Sequence, residues 1–454
     1  HSSSFSFSFL SCSFAVPLMR EVCYIVLLKI KIGFWVMLLL IILMLFPTCI
    51  FSALQDLPIN AQSAILFNPS NGAILYEKNS HEPLSPASVT KVATALYALT
   101  LLEDRLDEEV VVLQEDIGAQ SEEEIKRLKY NVPPHRLIFG ASHIGLKRGE
   151  ILSLRALFQG MLIASGNDAS NVIARVAAGR VENFMVGMNQ YLKKIGCKNT
   201  QFFNPHGQYY PGHLTTAYDM ALITAEALKH PFFTETVSAS RFERPKTNKQ
   251  EATLFMQGNK LLRNGEYAYP HAIGVKTGYH SQAKHCLSAA ATKEGRTLIF
   301  VQLGVDQRGG TFKDAIKLFK EAFNEQKQRS VLFSKGEQPF RMEHPALRTP
   351  LKIAAQEDLV LHYFPSEKPK IKANLYWNSA LFAKEGEQVG EIAFFNENNV
   401  IQKKMLLYAQ ESPDYRLGYW LQHPSLWGWG TYAVIILPFL IIILYLAVCT
   451  GKPR

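Results

Sequence analysis

Three short motifs fall in one order along this chain: Ser88-Val89-Thr90-Lys91, then Ser165-Gly166-Asn167, then Lys276-Thr277-Gly278. Each is common by chance. Together they require a fold that brings three distant segments to one cleft, and this constrains the architecture more than composition does. The chemistry explains the residue types. A serine hydroxyl is a weak nucleophile near neutral pH and needs a base beside it. Ser88 and Lys91 are three positions apart, so they share a face if the segment is helical. Residues 92–99, rich in Ala and Leu, read as helix, with Pro86 suited to its start. Ser88 is then expected in the first turn, where free N–H groups and the helix dipole favour developing negative charge. Lys91 can serve as a base only when neutral, and burial or a nearby cation such as Lys276 lowers a lysine pKa. An amphipathic helix with an exposed lysine is the competing reading of this segment alone.

The other two motifs read as a turn and a strand end. Ser165-Gly166-Asn167 separates two apolar helical stretches, 154–164 and 172–178. A turn there can aim a hydroxyl and an amide into a cleft. Ser165 would relay a proton to the leaving amine, and Asn167 would bond the substrate backbone. Lys276-Thr277-Gly278 closes a strand expected over 272–275. Strands over 285–291 and 297–303 follow around a Lys293-Glu294-Gly295 turn, giving an antiparallel meander. Glycine in such a strand marks close approach of another backbone or a ligand. A peptide could lie along this edge as an added strand, with Lys276 and Thr277 gripping a terminal carboxylate. The amides of Tyr279 and Ser88 would pair as an oxyanion hole.

With Pro86-Ala87 before the first motif, Asp168-Ala169 after the second and Gly274-Val275 before the third, the chain resembles the low-molecular-mass penicillin-binding proteins. More narrowly, it resembles the D-alanyl-D-alanine carboxypeptidases of peptidase family S11. Asn204-Pro205-His206-Gly207 falls where that family has a glycine loop, and Thr216 to Leu222 where it has a helix start. Thr216 and Asp219 also form a capping-box pattern. The resemblance covers roughly residues 60 to 410, more weakly toward the C-terminal side. It implies an α/β penicillin-binding-protein or serine β-lactamase-like transpeptidase fold, an antiparallel sheet flanked by helices, plus a small all-β C-terminal domain. It further implies peptidoglycan peptides ending in D-Ala-D-Ala as substrate, and acylation by β-lactam antibiotics. Ser88, Lys91 and Ser165 would be catalytic; Asn167, Lys276, Thr277, Gly278 and Tyr279 would bind substrate. Tyr279 departs from the family, where histidine is frequent. The charged stretch 122–129 reads as a variable loop or a solvated face.

The remaining features bound the class. The chain has 454 residues. Residues 1–18 are a Ser/Phe-rich run before Met19, and 32–46 form an apolar stretch after Lys29 and Lys31, with small residues at Ser52 and Ala53. Residues 1–53 are expected to be upstream read-through and a signal peptide, or an uncleaved anchor. Cys49 is a weak lipobox candidate. Residues 54–330 form the serine peptidase domain. Residues 335–410 form a β stalk with strands over 351–354, 359–364, 371–377, 390–395 and 400–407, and a hairpin turn at 396–399. Residues 411–428 link it to a transmembrane anchor over 429–449, whose length suffices to cross a bilayer. The tail 450–454, with Lys452 and Arg454, would be cytoplasmic and the body periplasmic. The net charge of +9 is spread without a basic stripe, so no nucleic-acid partner is expected. No Cys/His spacing suggests a metal site, and no cofactor is implied. A Cys197–Cys286 disulfide is allowed by compartment but not demanded. Two rival functions stay open. A β-lactamase needs a deacylating glutamate, and no Glu-x-x-Leu-Asn stretch lies between Asn167 and Lys276. A membrane receptor for cell-wall peptides would have only a five-residue tail to signal through.

Overall fold

The computed structural model describes residues 54–378, 383–395, 401–414, 416 and 440–442. The expected signal peptide lies outside them, as does the expected anchor apart from Leu440–Ile442. Among the described residues no helix is long and apolar enough to cross a membrane.

The larger, N-terminal part of the described chain is built on a five-stranded antiparallel sheet. Its strands are β1 (Ser63–Phe67), β2 (Ile74–Lys78), β3 (Ala272–His280), β4 (Lys284–Lys293) and β5 (Arg296–Val305), in the spatial order β2-β1-β5-β4-β3. The expected meander is present, with strands longer than the sequence patterns suggest. Both faces of the sheet are covered, which explains why β5 reads as an almost unbroken apolar run rather than an alternation. Leu298 and Phe300 face one core, together with Phe312 and Phe319 of helix α1 (Arg308–Asn324). Ile299, Val301 and Leu303 face a second, larger core shared with the helical lobe. The centre of that lobe is helix α2 (Thr90–Leu102), in which ten of thirteen residues are buried. A helix apolar nearly all round belongs inside a protein. Around it pack α3 (Leu154–Leu162), α4 (Asn167–Ala178), α5 (Val181–Lys194) and α6 (Ala217–Ala227). Within the charged stretch, Glu122–Arg127 forms a short helix that buries only Ile125, in keeping with a solvated face.

The β module begins slightly earlier than the composition suggests. Strand β6 (Gln328–Phe333) pairs with β7 (Leu359–Tyr363), so the change of character falls near residue 328. Five further strands form one antiparallel sheet: Gly336–Met342, Leu351–Ala355, Ile401–Ala409, Gln388–Phe395 and Lys372–Trp377, in that spatial order. The last two expected strands do pair as a hairpin; their turn at 396–399 lies outside the described residues. A buried polar latch fixes this module to the first five-stranded sheet. Glu367 accepts hydrogen bonds from Arg296 of β5, from Asn68 (3.0 Å) and from Asn71 (2.8 Å), and Arg296 also stacks over the Phe364 ring at 3.8 Å. Every charge in the latch is paired, which is what allows it to be buried.

Candidate active site

The first two motifs meet on a single lysine. Ala87–Val89 is a 3-10 turn that runs directly into α2, so Ser88 stands just ahead of the α-helix and Lys91 in its first turn. Lys91 is completely buried, which excludes the exposed-lysine reading. Its Nζ donates to Ser88 Oγ at 3.0 Å, to Asn167 Oδ1 at 2.6 Å and to the His206 carbonyl at 2.7 Å. Burial pushes its pKa well below the usual lysine value, the Lys276 charge pushes the same way, and the Asp168 carboxylate opposes both. The expected role of Asn167 thus changes in emphasis: it is buried, and its carbonyl oxygen accepts from Lys91.

Ser165-Gly166-Asn167 forms the expected turn between α3 and α4. It is anchored from below by Asp168. That buried carboxylate accepts the amides of Ile144 at 3.0 Å, Leu146 at 3.0 Å and Ala169 at 2.9 Å. Ser165 lines the cleft, as do Ser88 and Lys276.

Lys276-Thr277-Gly278 lies inside β3 rather than beyond its end. A bulge opposite Ala290 and Ala291 precedes the motif and re-aims the strand. β3 is an edge strand, free on one side for a peptide to add. The close approach expected of Gly278 is real: a Cβ there would sit 2.9 Å from the Ser88 nitrogen and 2.9 Å from the Pro86 oxygen. Lys276 is fully buried and donates to the Thr277 carbonyl at 2.9 Å. Burial pushes its pKa down to about 7. Tyr279 points outward, 62% exposed, with its ring stacked on His285 at 4.4 Å.

A non-glycine residue with positive φ starts the second motif, Ser165 (62°), and directly precedes each of the others, Ala87 (50°) and Val275 (90°). Such conformations cost free energy and cluster at functional sites, where the surroundings over-determine them. For Ala87 those surroundings are visible. Its carbonyl accepts from Thr90 Oγ1 at 2.9 Å, and Thr90 in turn is bonded to His213 Nε2 at 3.0 Å. His213 Nδ1 accepts the Phe203 amide, so Nε2 carries the proton. Burial pushes the His213 pKa down to about 3, which keeps the ring neutral.

Sequence reasoning missed several of these groups. The 204–207 loop stood on resemblance alone, yet its His206 carbonyl accepts a hydrogen bond from Lys91. Asp168 stood only in the resemblance and His213 gave no signal, because Ile144, Leu146 and Thr90, the groups that give them their roles, lie 22 to 123 residues away. Arg308, at the start of α1, enters the cleft as a further cation. The cleft holds about 340 Å³. Cys286 also lines it, but both Cys286 and Cys197 are free and buried, so the allowed disulfide is not formed. Of the capping box at Thr216, only one half forms. Thr216 accepts the Asp219 amide, whereas the Asp219 carboxylate bonds Asn199 and Thr200.

Gly207 offers a direct test of the His206 carbonyl. It sits at φ 82°, and a Cβ would collide with the Ala87 carbonyl carbon and oxygen. Gly207→Ala is expected to destabilise the fold by about 2 kcal/mol or more. It should also slow acylation of Ser88, because the loop must move away from Lys91. Denaturant melts and labelling rates with a fluorescent penicillin read the two effects separately.

Comparison with known proteins agrees with this geometry. The family model for D-alanyl-D-alanine carboxypeptidase, peptidase S11, matches residues 51–307; the β module lies beyond it. Among curated relatives, the D-alanyl-D-alanine carboxypeptidase DacF of Bacillus subtilis is 34% identical over 272 residues, covering 60% of this chain and 64% of that protein. DacC of Escherichia coli is 32% identical over 286 residues, covering 62% and 66%. The matched region thus spans just under two thirds of the length of these two relatives. Among solved structures, DacD from Francisella tularensis superposes with a TM-score of 0.57 at 21% identity, covering 82% of this chain and 98% of that one. Penicillin binding protein 5 from Haemophilus influenzae gives 0.55 at 24% identity, covering 79% and 99%. At these identities the superpositions speak for the fold, and the family model, which matches more than half of the chain, gives the family: the chain belongs to the peptidase S11 family of D-alanyl-D-alanine carboxypeptidases.

Proposed function

We propose that this chain is a serine-type D-Ala-D-Ala carboxypeptidase of the cell wall that works through an acyl-enzyme on Ser88 and is inactivated by β-lactams. One observation carries the reading: a fully buried lysine with a lowered pKa stands 3.0 Å from a serine hydroxyl at the head of a helix. Neutral Lys91 keeps its two N–H bonds for Asn167 and His206, and its lone pair takes the Ser88 proton as Oγ attacks the carbonyl of the penultimate D-Ala. The resulting oxyanion is held by the amides of Ser88 and Tyr279, which the tight packing of Gly278 brings side by side. Lys276, Thr277 and Arg308 meet the terminal carboxylate. Ser165 delivers a proton to the leaving amine, free D-Ala departs, and water hydrolyses the Ser88 ester. With a β-lactam the ring amide opens instead, and the leaving group stays tethered to the adduct.

The test is mass spectrometry of the full-length protein after mixing with a D-Ala-D-Ala peptide or with penicillin. Release of one D-Ala per turnover is expected, as is a penicillin adduct on the peptide that contains Ser88. An adduct elsewhere, or none, would sink the proposal. The apolar runs at 32–46 and 429–449 support an exported body held by a C-terminal anchor. Protease added outside intact cells should then digest the body, and protection from it would rule that topology out.

A further inference from the structure

Beyond the cleft, past the end of β3, lies a group of aromatic rings that the chemistry above does not use. Tyr209 packs edge-on against His280, the last residue of β3, with ring centroids 6.0 Å apart. Tyr130 meets Tyr209 at 5.6 Å and Tyr210 at 6.0 Å. All three tyrosines are only half-buried. Their positions are fixed by the active site itself. Gln208 and Tyr209 directly follow the loop whose His206 carbonyl holds Lys91, and His280 Nε2 bonds Ser85 Oγ at 3.2 Å. Tyr130 is presented by two successive residues of positive φ, Lys129 (48°) and Tyr130 itself (60°). Side chains of this kind adopt that conformation at a cost. Next to Tyr209 in the chain, the two polar atoms of the Gln208 side-chain amide are buried without a hydrogen-bond partner, an expensive state for an amide.

The direction of the substrate sets what reaches this ledge. The carboxylate end is held at Lys276 and Thr277, and the scissile bond lies beside Ser88 and Gly278. The rest of an added strand must therefore run antiparallel to β3, past Tyr279 and His280. At about 3.4 Å per residue, the three remaining residues of a five-residue stem span roughly 10 Å. That carries the far end of the stem, where it joins an N-acetylated amino sugar, beyond His280 to the tyrosines. Sugar rings present C–H faces that pack on aromatic faces, while their hydroxyl and acetamido groups need polar partners. We infer that Tyr209, Tyr130 and Gln208 form a subsite for the amino-sugar ring that bears the stem peptide. This rests on the D-Ala-D-Ala reading above and extends it from the peptide to the glycan.

The experiment compares full-length protein and variants on two substrates: a disaccharide pentapeptide, and the same pentapeptide without sugar. Wild type should show the higher kcat/KM on the sugar-bearing substrate. Tyr209→Ala should lose roughly five- to tenfold on that substrate while keeping its rate on the bare pentapeptide and its penicillin acylation rate. Tyr209→Phe, which keeps the ring, should retain most of the sugar-dependent gain. Equal kcat/KM for the two substrates in wild type would overturn the subsite and leave the carboxypeptidase reading intact. So would an equal loss on both substrates in Tyr209→Ala. Failure of wild type to release D-Ala from either substrate would overturn both.

Discussion

Lys91→Met is expected to slow acylation of Ser88 by about 10²- to 10⁴-fold, the range lost when a positioned general base is removed. Methionine has nearly the length of lysine and is apolar, so it can fill the same buried space in α2. It leaves the Asn167 carbonyl oxygen and the His206 carbonyl without their donor, and each orphaned acceptor costs on the order of 1–3 kcal/mol. The loss of a buried amine with a lowered pKa offsets part of that. Stopped-flow labelling with a fluorescent penicillin measures the rate, and circular dichroism checks the fold. Near-wild-type acylation would show that Lys276, acting through Ser165, is the base. In the wild type the sign of the pH effect follows from the direction of the shift. Lys91 is neutral above its lowered folded pKa, so acylation must fall as the pH drops through that value.

Lys276→Arg should move the alkaline limb of the pH profile upward. With its pKa pushed down to about 7, Lys276 in the empty enzyme loses its proton as the pH rises through 7. kcat/KM for a substrate with a free carboxylate should fall with it. Arginine stays charged and should hold the limb several pH units higher, at some cost in rate from its different shape. Lys276→Met should instead abolish most turnover of the acid, with a smaller loss on a C-terminally amidated analogue. Equal losses on the two would assign Lys276 to the chemistry. The same variant should be more stable than wild type. The folded pKa of Lys276 lies below the unfolded value near 10.5, so the folded state binds fewer protons between them, and wild type is progressively destabilised as pH falls from about 10.5 to about 7. The stability gain of Lys276→Met should grow across that window and level off below it, reaching about 2–4 kcal/mol. Urea melts at several pH values measure this. A flat difference across the window would mean that Lys276 is not held neutral by burial.

Local rules in the sequence determined much of this protein. The three-residue spacing of Ser88 and Lys91, the Ser165-Gly166-Asn167 turn between two apolar stretches, and the meander around Lys293-Glu294-Gly295 each follow from helix period, turn chemistry or strand alternation. Those signals need only a few neighbouring residues. The β module was legible for the same reason, although its first two strands were missed: Gln328 and Arg329 disguise the alternation of β6, and Gly336 and Pro339 interrupt that of Gly336–Met342. Tertiary structure decided the rest. No local pattern shows that Lys91 and Lys276 are both buried, and their lowered pKa values depend on that burial. Nor does one show that Asn167 holds Lys91, that the His206 carbonyl joins it, or that Asp168 and His213 brace the turns that present the two serines. Ala87, Ser165 and Val275 are ordinary residues in the sequence. Only packing against segments up to two hundred residues away can hold them at positive φ, because the chain alone would relax to a cheaper conformation.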